Sequence, residues 1–326
     1  MPRVVIAGGN GFLGRALAGH LLHQGWEVVT LSREGRNARE GIRAVPWNGR
    51  DVGPWADEVN GAQALVNYVG RSINCRFTSR HRREILDSRV HSVTALGEAV
   101  RRCAAPPAVW LQASAIGIYG NAEEKLCDET APIGEGFIAD VCRQWEAALH
   151  RHRLPQTRKV VFRIGPVLGR GDGALPRLIR LTKWGMGGRV GRGTQWFSWV
   201  HLEDVIRAAV WAIEHAGPSE TYNLTAPGAI RNRDLMRALR GALGVRFGLP
   251  APALAARLGA WLMGIDPSLA LSGQRCPPSR LLADGFGFRF STLAAALGDL
   301  IPDPGPRGHG ADHIGSFHRS NRDSRR

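Results

Sequence analysis

Glycines 8, 11 and 14 sit in the run "VVIAGGNGFLGRAL" (Val4 to Leu17), directly behind a β-branched stretch and at the mouth of a helical pattern. Residues of that type at that spacing cradle a pyrophosphate. Gly8 permits the tight turn, Gly11 lets the backbone approach the anion with no Cβ in the way, and Gly14 lets the helix pack close to the strand. Amides left unpaired at the start of the helix then face the phosphates. The reading is a dinucleotide site; the alternative is a strand-to-helix turn that is tight for packing alone. An acid that grips a ribose 2′-hydroxyl belongs about 20 residues further on. There the second strand ends in "TLSREGR", which supplies Ser32, Arg33 and Arg36 instead. A guanidinium fork suits the 2′-phosphate of NADP and leaves the NAD hydroxyl without its acceptor, so NADP(H) is expected over NAD(H). Surface arginine in an arginine-rich chain is the competing explanation.

A parallel sheet must position these groups. Short apolar runs bounded by Gly, Pro or polar residues predict strands at "RVVIAG", "WEVVTLS", "IRAVPW", "ALVNYVG", "PAVWLQAS" and "KVVFRIG". Helical spacing between them appears in "GRALAGHLLHQG", which stops at Gly25, and in "TSRHRREILDSRVHSVTALGEAVRRC", with Thr78 or Ser79 as N-cap. Alternation of this kind predicts an α/β fold, a Rossmann-like doubly wound parallel sheet with a smaller C-terminal substrate or lid domain. Residues 1–165 and about 196–225 are assigned to the nucleotide-binding domain, 166–195 and about 226–302 to the lid region. "TYNLTA" reads as a short strand and "HLEDVIRAAVWAIEHA" and "IRNRDLMRALRGALG" as helices. Residues 303–326 have almost no apolar content and read as a disordered tail.

Composition narrows the partners. The net charge is +15, yet only three lysines (Lys125, Lys159, Lys183) accompany it, so 40 of the 43 basic residues are arginine, spread along the chain. That pattern suits a coding bias better than a nucleic-acid patch, and no reader motif is present. The five cysteines are scattered, without CxxC pairs or metal-ligand spacing, which predicts reduced thiols and no metal. The apolar stretch from Leu249 to Leu271 is interrupted by Arg257, Asp266 and Pro267, so no membrane span is expected. With the first residues already reading as a strand, no export signal is expected either, and a cytoplasmic location follows.

On these residues the chain resembles the extended short-chain dehydrogenase/reductases, the NAD(P)-dependent epimerase/dehydratase family. "VNYVGRSI", "EILDSRV", "SAIGIYG", "GFIADVCRQWEAAL", "FRIGPVLGR", "QWFSWVHLEDV" and "YNLTAPG" are similar to signature runs of its atypical, sugar-nucleotide-epimerase-like branch. Members of that branch carry a small C-terminal domain of unknown function, and "QRCPPSRLLADGFGFRF" is similar to its ending. The resemblance implies that Phe12 and Leu13 follow the glycine turn onto the phosphates. It further implies that Asn67, Tyr68, Val69 and Gly70 form the strand edge beneath the adenine ribose and pyrophosphate, with Gly165 and Val167 near the nicotinamide. An ordinary buried strand is the alternative for "VNYVG".

Family members that catalyse use a Tyr and a Lys four residues apart on one helix face. None of the three tyrosines, Tyr68, Tyr119 and Tyr222, has a lysine at i+4, and alignment on "WEAAL" puts the lost pair at Ile138 and Cys142 or at Phe137 and Val141. Ser114 and Tyr119, where the fifth strand ends, are the replacement candidates. Tyr119 either donates a proton in reduction or packs and hydrogen-bonds a substrate. Cys142 is either a thiol acid or buried packing. Gln195, Trp196, Ser198 and His201 face the substrate, or else Trp196 and Trp199 plug the lid against the sheet and His201 caps the helix. Arg89 meets a substrate phosphate or an acid on the next helix, and Arg163 offers the same pair of roles. Together these readings describe an NADP(H)-dependent oxidoreductase or epimerase-like enzyme on a small phosphorylated or nucleotide-linked substrate, a monomer or homodimer with no specific nucleic-acid or membrane partner. The missing dyad leaves open a non-catalytic NADP(H)-binding redox sensor or scaffold.

Overall fold

β-Branched runs buried on both faces form the centre of the molecule, as parallel strands covered by helices on either side must be. The computed structural model describes residues 1–35 and 39–301. Arg36 and the tail expected at 303–326 lie outside the described residues. The strands of the main sheet are β1 (Arg3–Ala7), β2 (Glu27–Ser32), β3 (Ile42–Pro46), β4 (Ala64–Asn67), β5 (Val109–Ala115), β6 (Arg158–Ile164) and β7 (Glu220–Leu224). They form one parallel sheet in the order β3-β2-β1-β4-β5-β6-β7. "TYNLTA", read as an isolated short strand, therefore closes the edge of the main sheet against β6.

The helices up to residue 242 are α1 (Phe12–His23), α2 (Ser79–Arg102), α3 (Phe137–His150), α4 (Leu175–Leu181), α5 (Leu202–Glu214) and α6 (Asn232–Ala242). From β1 the chain steps to β2 on one side, whereas from β4 it steps to β5 on the other. Right-handed crossovers then place α1 and α2 on opposite faces; accordingly α1 packs with α5 and α2 with α3. Thr78 caps α2, its hydroxyl accepting from the His81 amide at 3.2 Å. "ALVNYVG" stops being strand at Asn67, three residues earlier than its apolar character suggests. The Asn67 carboxamide oxygen accepts the Val69 amide at 3.0 Å and turns the chain out of the ladder.

A second core gathers Leu168, Leu175, Trp199, Leu235, Leu239 and Phe290 beneath α4, α6 and the helix Leu293–Leu300. Asp204, fully buried on α5, accepts the amides of Arg289 (2.8 Å) and Phe290 (2.9 Å) and pins this region to the sheet. Leu281 and Phe286 bury in the main core rather than in the second.

Candidate functional site

The carboxyl ends of β1 and β4 meet where the strand order reverses, the position at which open α/β sheets bind ligands. Gly8 takes φ +80° there, and a Cβ on it would lie 3.0 Å from the Tyr68 carbonyl carbon and the Val69 nitrogen. The two strand exits thus press backbone against backbone. A Cβ on Gly14 would overlap the Gly8 carbonyl oxygen and come within 2.8 Å of Gly9 Cα, so only glycine lets α1 start this close to the turn. α1 has Gly11 at its N-cap and no side-chain cap, which leaves the amides of Phe12, Leu13 and Gly14 for an external acceptor. The loop after β6 supports the turn. A Cβ on Gly173 would come 3.1 Å from the Phe12 ring, Val167 pairs with Val200, and a Cβ on Gly165 would overlap the Ser198 carbonyl oxygen.

At the end of β2 the Ser32 hydroxyl oxygen is buried without a hydrogen-bond partner among the described residues. Next to it Arg33 is exposed and pairs with no carboxylate among the described residues. An orphaned hydroxyl, an unengaged guanidinium and a glycine cradle fit a dinucleotide carrying a further phosphate on its ribose. Asn67 plays a different part: its amide nitrogen donates to Gln112 (3.0 Å) and Ser92 (3.4 Å) while its oxygen holds Val69. It sets the shape of the exit that presents Tyr68, Val69 and Gly70, and burial pushes the Tyr68 phenol well above its ordinary pKa.

The strand register puts Ser114, Arg163 and Asn223 in one row across β5, β6 and β7. Glu146 comes down onto that row from α3. It accepts from Ser114 Oγ (2.6 Å), Arg163 Nε (3.0 Å) and Arg163 Nη2 (2.9 Å), and Arg163 Nη1 donates to Tyr119 Oη at 2.9 Å. Tyr119 in turn donates to Asn223 Oδ1 at 2.8 Å, and Asn223 Nδ2 donates to the Cys127 (2.9 Å) and Pro277 (3.2 Å) carbonyls. Tyr119 is 4% exposed, and burial pushes its phenol up to about 12 against the pull of Arg163. Both catalytic candidates thus belong to one closed polar chain, in which the Tyr119 proton is directed at Asn223. Glu146 and Asn223 were not singled out from the sequence. The available signal was a glutamate on the buried stripe of α3, between Trp145 and Leu149.

The dyad positions on α3 hold no acid or base within ordinary reach of neutral pH. Ile138 lies against Gly117, 2.5 Å from where a Cβ would stand, and burial pushes the Cys142 thiol up to about 12. Phe137 meets Phe77 edge-on at 4.9 Å, and Val141 is buried. On the substrate side, Gln195 donates to the carbonyls of Val190 (3.2 Å) and Ala270 (3.1 Å), and Ser198 bridges the Gln274 carbonyl and the Cys276 amide. The guanidiniums of Arg231 and Arg275 lie over the Trp196 ring at 4.0 and 4.7 Å. His201 caps α5 by accepting the Glu203 amide at 3.1 Å and stacks on Phe290 at 3.8 Å. Burial holds it below the ordinary imidazole value despite Asp299, Asp204 and Glu203. Each of these four side chains has an internal packing or hydrogen-bonding role. Arg89 lies instead beneath the β4 exit, against Gly70.

A cleft of about 920 Å³ opens at the opposite end of the sheet, among Arg153, Arg158, Lys159 and Thr221. Two of these cations are met by helix ends: Lys159 donates to the Leu149 carbonyl at 3.4 Å and also to that of His152, and Arg158 to that of Ala212. Among the described residues no group of His, Cys, Asp or Glu could hold a metal ion, and no helix is long and apolar enough to cross a membrane.

Residues 4–225 match the model of the NAD dependent epimerase/dehydratase family, and residues 251–300 match a domain of unknown function, DUF1731. Epimerase family protein YfhF of Bacillus subtilis (strain 168) is 33% identical over 304 residues, covering 92% of this chain and 98% of that protein. Human epimerase family protein SDR39U1 is 31% identical over 306 residues, covering 92% and 99%. The crystal structure of the human protein (isoform 2) with NADPH superposes with a TM-score of 0.81 at 31% identity, covering 92% of this chain and 99% of that one. MoeE5 in complex with UDP-glucuronic acid and NAD shares the fold, with a TM-score of 0.73 at 19% identity and coverage of 92% and 97%.

Proposed function

The chain belongs to the NAD dependent epimerase/dehydratase family, and on that premise we propose that it is an NADP(H)-dependent oxidoreductase or epimerase-like enzyme acting on a small phosphorylated or nucleotide-linked molecule. One observation carries the cofactor choice: β2 ends in the orphaned Ser32 hydroxyl and the unengaged Arg33 guanidinium, where a carboxylate would select NAD. The solved human relative with NADPH supports the same choice.

When bound, the cofactor supplies hydride chemistry at its nicotinamide. This chain's residues do the rest. The amides opening α1 hold the diphosphate, Ser32 and Arg33 hold the 2′-phosphate, and Gly165 and Val167 shape the wall near the nicotinamide. Ile138 and the buried Cys142 offer no proton donor or acceptor there near neutral pH. Ser114 and Tyr119 act through the network that fixes the end of β5 in place, and a proton leaves Tyr119 only if its bond to Asn223 opens.

A second reading is favoured by that same bond and by the apolar dyad positions: an NADP(H)-binding sensor or scaffold without turnover. Absorbance of bound NADPH, followed against a panel of nucleotide sugars and small carbonyl compounds, separates the two. Oxidation by any panel member supports the enzyme; tight NADPH binding with no oxidation anywhere supports the sensor. Mass spectrometry of molecules released from the purified protein identifies a co-purifying ligand.

A further inference from the structure

We propose that Arg89, on α2, grips the nicotinamide-ribose half of the dinucleotide from below the β4 exit. This rests on the dinucleotide reading above and assigns a residue to the half of the ligand for which that reading names only wall contacts.

Arg89 is half-buried. Its guanidinium carbon would lie 3.0 Å from a Cβ on Gly70, and it stands over the Trp145 ring of α3 at 5.0 Å. Nη1 donates to the carbonyls of Arg71 and Ile85, each at 3.0 Å. No carboxylate among the described residues pairs with it, whereas Arg71 close by takes Glu84 at 2.5 Å. Burial accordingly pulls its pKa below the ordinary arginine value, with only the Cys142 thiol acting the other way. A half-buried cation with no carboxylate suits an oxygen-rich partner, and two carbonyls satisfy one end of a five-donor fork.

Position says which partner. Arg33 and Ser32 fix the adenine-side ribose at the end of β2, and the glycine turn after β1 fixes the diphosphate. The remaining half of the ligand therefore extends over β4 and β5, the side on which Gly70 and Arg89 stand. There its ribose hydroxyls and the neighbouring phosphate oxygens are the acceptors. On α3, Ile138 and Cys142 offer no cation to them. α2 provides one from the other wall, and the absence of a side chain at Gly70 lets the guanidinium lie against the exit backbone.

The test uses the full chain, freed of nucleotide, with calorimetric titration of NADPH and of 2′,5′-ADP, which carries the adenosine half alone. Arg89→Met is expected to weaken NADPH about 10-fold or more, the loss of charge-assisted hydrogen bonds, and to leave 2′,5′-ADP within about twofold. Arg89→Lys, which keeps the charge and loses the fork, is expected to weaken NADPH less, again sparing 2′,5′-ADP. Should Arg89→Met fail to fold, the Lys variant decides by the same selectivity. Unchanged NADPH affinity, or equal weakening of both probes, overturns the proposal while leaving the dinucleotide reading standing. Wild-type protein that binds neither probe overturns both.

Discussion

Arg163→Met removes the cation from the buried row at the end of the sheet. The Arg163 and Glu146 side chains are 11% and 9% exposed, and Glu146 receives three hydrogen bonds, two of them from Arg163. The substitution leaves a buried carboxylate with Ser114 as its remaining donor and takes away the group that donates to Tyr119. Breaking one side of a buried pair costs about 3–5 kcal/mol, which for a chain of this size is a fall of roughly 5–15 °C in the unfolding midpoint. Arg163→Met combined with Glu146→Met removes both charges and is expected to recover at least half of that loss, because two apolar side chains carry no desolvation penalty. Thermal and urea unfolding of the four proteins in the cycle supply the measurement. A single-variant loss below about 1 kcal/mol, the range of exposed ion pairs, would refute the buried network, and so would a double variant as unstable as the sum of the singles.

Other consequences can be checked on the same protein. Gly14→Ala drives a methyl into the Gly8 carbonyl, so NADPH binding should disappear in calorimetry, whereas Gly259→Ala, with open space around its Cβ, should leave binding intact and raise stability by up to about 1 kcal/mol. Arg33→Asp should shrink the NADPH-to-NADH affinity ratio by about 1.5–3 kcal/mol, roughly 10- to 150-fold; an unchanged ratio removes Arg33 from the site. His201, His150 and His152 are all held below the ordinary imidazole value, by burial first. The unfolded chain thus takes up protons before the folded one, and stability should be complete above about pH 6.5 and decline as pH falls below it. His201→Asn keeps a capping side chain on α5 and should flatten part of that decline in unfolding midpoints measured from pH 7.5 to 5.5.

The sheet was legible because its inner strands are buried on both faces and read as short apolar runs, and the half-exposed edge strand β3 still stands between Gly and Pro boundaries. The glycine turn was legible because its requirements are local: a positive φ at Gly8 and no room at Gly14 are properties of a few consecutive residues. What the sequence could not show were the long-range partners. Ser114, Glu146, Arg163, Tyr119 and Asn223 span more than a hundred positions, and only the parallel register brings three of them into a row. A Tyr read alone offers a proton; one that donates to Asn223 and accepts from Arg163 is held in a structural bond first. The two readings weighed for His201 differ likewise only in what its Nδ1 meets, and that is the Glu203 amide.

The most direct measurement is calorimetric titration of nucleotide-free protein with NADPH and with NADH at one salt concentration. Saturable heat with NADPH, at an affinity tenfold or more above that for NADH, is the expected result. Absence of heat with both, or tighter binding of NADH, would contradict the assignment of the β1 turn and the β2 end to a 2′-phosphorylated dinucleotide.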